Sequence, residues 1–217
     1  MPSNLQLYQA RLDISLTECD RLWQFLSADE RSRAERLKRE YINQNFIAAR
    51  GNLREILAMN LGCEPKEIQF SYSDRGKPYI QNFKGIYFNL SHSHNLAIYL
   101  LSSDREVGID LEYINPKCDV DNIAERYFLP SEQKIISSLS AQDKYLAFYR
   151  AWTLKEAYGK ATGQGITNIL DRVDVSSLLE MPTGETLQIQ DWTLKLLDPD
   201  LNIDANYTTA ICHFGHE

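Results

Sequence analysis

The 217 residues contain no CxxC pair; Cys19, Cys63, Cys118 and Cys212 are scattered, which excludes a disulfide scaffold and the usual zinc ribbons. No apolar run exceeds LAIYLL, Leu96 to Leu101, against the roughly 20 residues a membrane-spanning helix needs. The opening MPSNLQLYQARLD lacks the charged-then-apolar order of a signal peptide, so reduced thiols in a cytoplasm are expected. Neither GxxxxGK[ST] nor GxGxxG occurs, which removes the ordinary nucleotide-binding folds. Positive charge is also short: the net charge of −7 disfavours nonspecific nucleic-acid binding, and no nucleic-acid or membrane partner is expected. Hydrophobic residues at 43% and charged residues at 24% then point to a compact globular chain rather than a disordered one.

Apolar periodicity supplies the elements. LQLYQARLDI alternates as an edge or half-buried strand, and LTECDRLWQFLS repeats apolar residues at helical spacing. Ser27 precedes ADERSRAERL, whose Asp29 and Glu30 suit the positive end of a second helix. Phe46, Ala49, Leu53, Leu57 and Leu61 mark a long helix stopped by Gly62, with Gly51 inside it as a point of close packing. Short strands at IQFSY, KPYI, IYFNL and LAIYLLS follow, read as an antiparallel meander with SDRG and SHSHN as turns.

The second half begins with the strand VGIDLEYI and continues through helices from about Val120 to Ala161. It returns to strands at LQIQ, WTLKLLD and YTTAICHF, with DPDLNIDAN as a polar turn. Strand, helices and strands thus occur twice, with SSDRE as the junction, although no residue-level repeat is visible. The expected architecture is α+β in two tightly packed lobes, residues 1–104 and 105–217.

Candidate chemistry gathers on two elements. In VGIDLEYI the period of two puts Asp110 and Glu112 on one side, roughly 6.5–7 Å apart along the strand. In WTLKEAYGK, Trp152, Glu156 and Lys160 follow at i, i+4 and i+8 and share a helix face. Alone, the acids read as edge-strand charges and the Glu–Lys pair as a surface pair worth about 0.2–0.5 kcal/mol. Together they make an oxygen-rich site with a lysine, suited to Mg²⁺ and phosphate, in which a cation relieves the repulsion among three carboxylates. Ser91, His92, Ser93 and His94 read as a polar turn that either caps itself or meets an anion. Residues Arg31 to Arg54 form a basic island, and Gly76 with Lys77 offers another cation.

The ordered set GKP at Gly76–Pro78, FNLSHS at Phe88–Ser93, GIDLE at Gly108–Glu112 and FYRAWTLKEAYGK at Phe148–Lys160 resembles the 4′-phosphopantetheinyl transferases of the larger, two-lobed, surfactin-synthetase-activating type. The resemblance implies two similar lobes related by a pseudo-twofold, each a small antiparallel sheet packed with a long helix, and a coenzyme A site between them. It implies transfer of phosphopantetheine from coenzyme A to a serine of an apo acyl or peptidyl carrier protein, with release of adenosine 3′,5′-bisphosphate. Asp110, Glu112 and Glu156 are then the Mg²⁺ ligands. Glu156, directly or through a water, and Lys160 carry the catalysis, and Lys77, Ser91, His92 and Arg50 contact the coenzyme. Where relatives present lysines at the start of the second helix, this chain reads ADERSRAER, so Arg31, Arg33 and Arg36 are the substitutes on offer. A monomer is expected, because the second half supplies what a partner subunit would. The competing readings are a Mg²⁺-dependent phosphodiesterase or hydrolase and a noncatalytic module that binds coenzyme A or a carrier.

Overall fold

The computed structural model describes residues 4–197 and 206–215. Strand β1 (Leu5–Arg11) is followed by helices α1 (Leu16–Trp23), α2 (Ala28–Glu35) and α3 (Glu40–Leu61). Strands β2 (Phe70–Tyr72), β3 (Pro78–Ile80), β4 (Tyr87–Ser93), β5 (Leu96–Ser102) and β6 (Val107–Tyr113) come next. Helices α4 (Val120–Tyr127), α5 (Pro130–Ser138), α6 (Ala141–Thr162) and α7 (Ser176–Leu179) precede β7 (Thr186–Ile189), β8 (Trp192–Leu196) and β9 (Tyr207–Phe214). The α+β class expected from the pattern is therefore present. The turn expected at DPDLNIDAN lies, apart from Asn206, outside the described residues. Among the described residues no helix is long and apolar enough to cross a membrane.

Each half sets a 22-residue helix against an antiparallel sheet. In the first half the sheet order is β1-β5-β4, and α3 packs on it through Leu53, Leu57 and Ala49, the carbonyl of Ala49 accepting from the Tyr99 hydroxyl at 3.0 Å. Gly51 lets α1 approach α3, since a Cβ there would lie 2.6 Å from Leu22 Cβ. The expected four-strand meander divides: β4 and β5 join β1, while the three-residue strands β2 and β3 form their own hairpin. In the second half the order is β6-β9-β8-β7, with α6 across it.

The two sheets meet through β5, every residue of which is buried. Its alternate residues Leu96, Ile98 and Leu100 pack on Val107, Ile109 and Leu111 of β6, while Ala97, Tyr99 and Leu101 face α3. A continuous apolar run is what a strand covered on both faces requires. The other face of β6 turns to α6, and it does so at very short range. A Cβ on Gly108 would stand 2.2 Å from the Ala157 carbonyl oxygen and 2.4 Å from the Ala161 nitrogen, both backbone atoms that cannot yield locally. Close approach at Gly108 is what brings the carboxylates two and four residues further on against α6.

Gly108→Ala is therefore expected to lose about 3 kcal/mol, the upper range for overpacking, as measured by urea unfolding. A variant as stable as the parent would contradict this strand–helix contact.

Candidate active site

Strands β4 and β6 are the facing edges of the two sheets, and they run side by side in the same direction. Side chains of β4 take the place of a ladder. Asn89 Oδ1 accepts from the Ile109 N–H at 2.9 Å, and Ser93 Oγ accepts from the Tyr113 N–H at 3.1 Å. Between them Ser91 Oγ donates to Asp110 Oδ1 at 2.8 Å, and Ser93 Oγ donates to Glu112 Oε2 at 3.0 Å. Ser91 and Ser93, two apart on one strand, thus match Asp110 and Glu112, two apart on the other. The reading of Ser91, His92 and Ser93 as a turn is corrected: all three belong to β4, and only His94 and Asn95 turn the chain, His94 with φ 53°. His92 alternates to the opposite side of the strand from Ser91 and Ser93.

Helix α6 brings the cation. Lys160 Nζ lies 2.6 Å from Asp110 Oδ1 and donates to Ser91 Oγ at 2.9 Å, closing a triangle of ammonium, hydroxyl and carboxylate. The second oxygen, Asp110 Oδ2, is buried and has no hydrogen-bond partner. Burial, with the Asp110 charge second, pushes Glu112 up to about 7, against the Ser93 hydrogen bond, which lowers it. Burial and then Asp110 also raise Glu156. His92 is lowered, first by desolvation of the ring and then by the Lys160 charge, even though the residue as a whole reaches solvent.

A cleft of about 230 Å³ opens on this triangle, lined by Arg75, Lys77, Asn89, Glu156, Lys160 and Gly163 among others. Lys77 stands on its rim and is already engaged. Its ammonium donates to the Ala161 carbonyl at 2.9 Å and pairs with Glu106. Ala161 is in the last turn of α6, whose unsatisfied carbonyls and negative dipole end favour a cation. The β2–β3 loop is thereby tied to the end of α6, and Arg75 repeats the tie at Gly163.

Besides His92, exposed on the other side of β4, Arg50 is the expected site residue that lies outside this seam. Its guanidinium is 11% exposed, donates twice to Glu30 Oε1 and stacks on Phe70, with Arg54 taking Glu30 Oε2. Arg31 and Arg33 lie over the rings of Trp23 and Phe46. Asp110, Glu112, Glu156, Lys160, Ser91 and Lys77 are brought to one seam. Sequence reasoning missed Asn89, Arg75 and Glu106 and took Ser93 for part of a turn; the alternation Asn89, Ser91, Ser93 within an apolar strand was the signal for Asn89 and for the strand itself.

Among the described residues no three His, Cys, Asp or Glu side chains stand already gathered as a metal-binding group; Lys160 and Ser91 occupy Asp110 Oδ1. The donor set nonetheless suits a hard cation: carboxylate oxygens only, one of them orphaned and two with raised pKa.

A family model described as the 4′-phosphopantetheinyl transferase superfamily matches residues 106–212. The chain is 38% identical over 218 residues to the 4′-phosphopantetheinyl transferase HetI of Nostoc sp., covering 99% of this chain and 90% of that protein. It is 26% identical over 210 residues to a 4′-phosphopantetheinyl transferase of Bacillus subtilis, with 96% and 92% covered. To the 4′-phosphopantetheinyl transferase Sfp of Bacillus subtilis strain 168 it is 24% identical over the same length and coverage.

The raised Glu112 gives a pH test. Its folded pKa exceeds its unfolded value, so its contribution is full below about 4.5 and is lost as pH rises towards about 7. In metal-free protein, thermal melts across that window should show the parent losing stability relative to Glu112→Gln. A pH-independent difference between the two would contradict the buried, crowded carboxylate.

Proposed function

The chain belongs to the 4′-phosphopantetheinyl transferase superfamily, enzymes that place phosphopantetheine on carrier proteins, and on that premise we propose that its donor is coenzyme A and its acceptor a serine hydroxyl of an apo acyl or peptidyl carrier protein. The observation that carries this reading is the Lys160–Ser91–Asp110 triangle, whose Lys160 lines the cleft together with Glu156, with Asp110 Oδ2 left without a hydrogen-bond partner and the charges of Glu112 and Glu156 close by. Asp110, Glu112 and Glu156 are the residues that would hold Mg²⁺. When bound it supplies charge neutralisation at the pyrophosphate and relieves the repulsion among the acids.

The chain's own groups account for the rest. The carrier serine oxygen forms a new bond to the phosphorus that bears pantetheine, and the bond from that phosphorus to the bridging oxygen breaks. The serine proton passes to Glu156, whose raised pKa makes it a better acceptor than an exposed carboxylate. Adenosine 3′,5′-bisphosphate departs with the negative charge, and Lys160, at 29% side-chain exposure, is placed on the cleft wall to stabilise it. Lys77 and Arg75 at the rim add positive charge for the coenzyme's phosphates. Ser91, its one donor spent on Asp110 and its oxygen accepting from Lys160, serves the site by orienting that pair. The two halves of the chain work as lobes around this seam, and one chain suffices as a monomer.

Incubation with coenzyme A, Mg²⁺ and an apo carrier should add phosphopantetheine to the carrier by mass spectrometry. Coenzyme A cleavage without carrier modification would instead support a hydrolase, and neither product a binding module. Asp110→Ala and Glu156→Ala should each abolish transfer, by about 100-fold or more, with the thermal midpoint retained. Near-normal transfer in either would sink the site assignment.

A further inference from the structure

A buried acid–cation clamp occurs in both halves at matching places. Arg54 is the fifteenth of 22 residues in α3, and Lys155 is the fifteenth of 22 in α6. Each meets a glutamate at the third position of a preceding short helix: Arg54 Nε with Glu30 of α2 at 2.6 Å, and Lys155 Nζ with Glu132 of α5 at 2.8 Å. Each glutamate also accepts from the backbone N–H three residues before it, Ser27 or Leu129, as an N-terminal cap. Each cation reaches a carbonyl beyond the end of its own long helix, Pro65 and Ile68 for Arg54 and Leu170 for Lys155.

The copies differ in what stands beside them. After Arg54 comes Glu55, which pairs with Arg21 at the surface. After Lys155 comes Glu156, about 100° further round the helix, on the wall of the cleft with Lys160 one turn on. Lys155 and Glu132 are fully buried, and Glu132 additionally accepts from the Val175 N–H at 3.0 Å, so the clamp locks α5, α6 and the segment after α6 together. With Lys155 drawn inward, the rotation of α6 about its axis is set, and with it the direction in which Glu156 and Lys160 point.

We infer that Lys155 and Glu132 are positioning residues for the reaction centre, fixing the rotation of α6 so that Lys160 meets Asp110 and Glu156 faces the cleft, whereas the equivalent clamp in the first half serves stability alone. The inference rests on the proposed function for its kinetic readout only.

The test compares Lys155→Met/Glu132→Gln, which removes both buried charges together, with Arg54→Met, which leaves Glu30 paired to Arg50. Below their melting temperatures, the double variant should lose about 100-fold in kcat, the scale of a 1 Å misplacement, with KM for coenzyme A within twofold. Arg54→Met should melt earlier yet keep kcat. In a crystal structure of the double variant the Lys160–Asp110 contact, 2.6 Å here, should lengthen beyond hydrogen-bond reach. Retention of kcat within threefold by the folded double variant, or equal kcat losses in both variants, overturns the inference. Should the double variant not fold, Lys155→Arg, which keeps the charge with a wider head, is measured instead; it should lose at least about tenfold in kcat, and parental kcat overturns the inference. Absence of transfer by the parent would refute the functional reading; the crystal structure then decides, an intact Lys160–Asp110 contact in the double variant, or in Lys155→Arg should the double not fold, overturning the positioning role.

Discussion

Everything near the cleft depends on how two sheet edges are joined. An open edge presents unpaired N–H and C=O groups and invites wrong partners. Here β4 and β6 run along each other's edges, and side-chain oxygens of Asn89 and Ser93 take the Ile109 and Tyr113 N–H groups of β6. Each such bond contributes only about 1 kcal/mol net, but a buried N–H left without one costs about 1–3 kcal/mol. The stitch therefore fixes register more than it adds stability. Register is what the site requires, because a slip of one residue would turn Asp110 and Glu112 away from α6.

The same seam concentrates charge in a way a stability-optimised core would avoid. Three carboxylates share a partly buried space, two of them with raised pKa, and a single lysine answers the most buried of them. Around this the packing is close: Gly108 permits backbone-close approach of β6 to α6, Lys77 ties the β2–β3 loop to the end of α6, and the Glu132–Lys155 clamp holds that helix from behind. Groups that must change partners during a reaction are thus confined to the side chains facing the cleft.

Much of this was legible from spacing. The long helices followed from apolar residues three and four apart and from Gly62 as a stop. The doubly covered β5 followed from LAIYLL, and the shared side of Asp110 and Glu112 from the period of two. Other features hid for physical reasons. SHS resembles a turn in composition, and only its pairing with β5 shows it as a strand that uses polar side chains to replace a ladder. Arg50 reads as a phosphate ligand until Glu30, twenty residues earlier, is seen to claim it. The repeated clamp escaped notice because one copy uses arginine and the other lysine, and because it depends on helix geometry rather than on similar sequence.

Amide hydrogen exchange at Ile109 and Tyr113, followed by NMR in the parent and in Ser93→Ala, tests the joined edges most directly. The stitch predicts that both amides are protected in the parent like interior sheet amides, and that Tyr113 alone exchanges about tenfold faster or more once the Ser93 hydroxyl is gone. Exchange of Tyr113 in the parent at the rate of an exposed loop amide, or the same protection in both proteins, would contradict it.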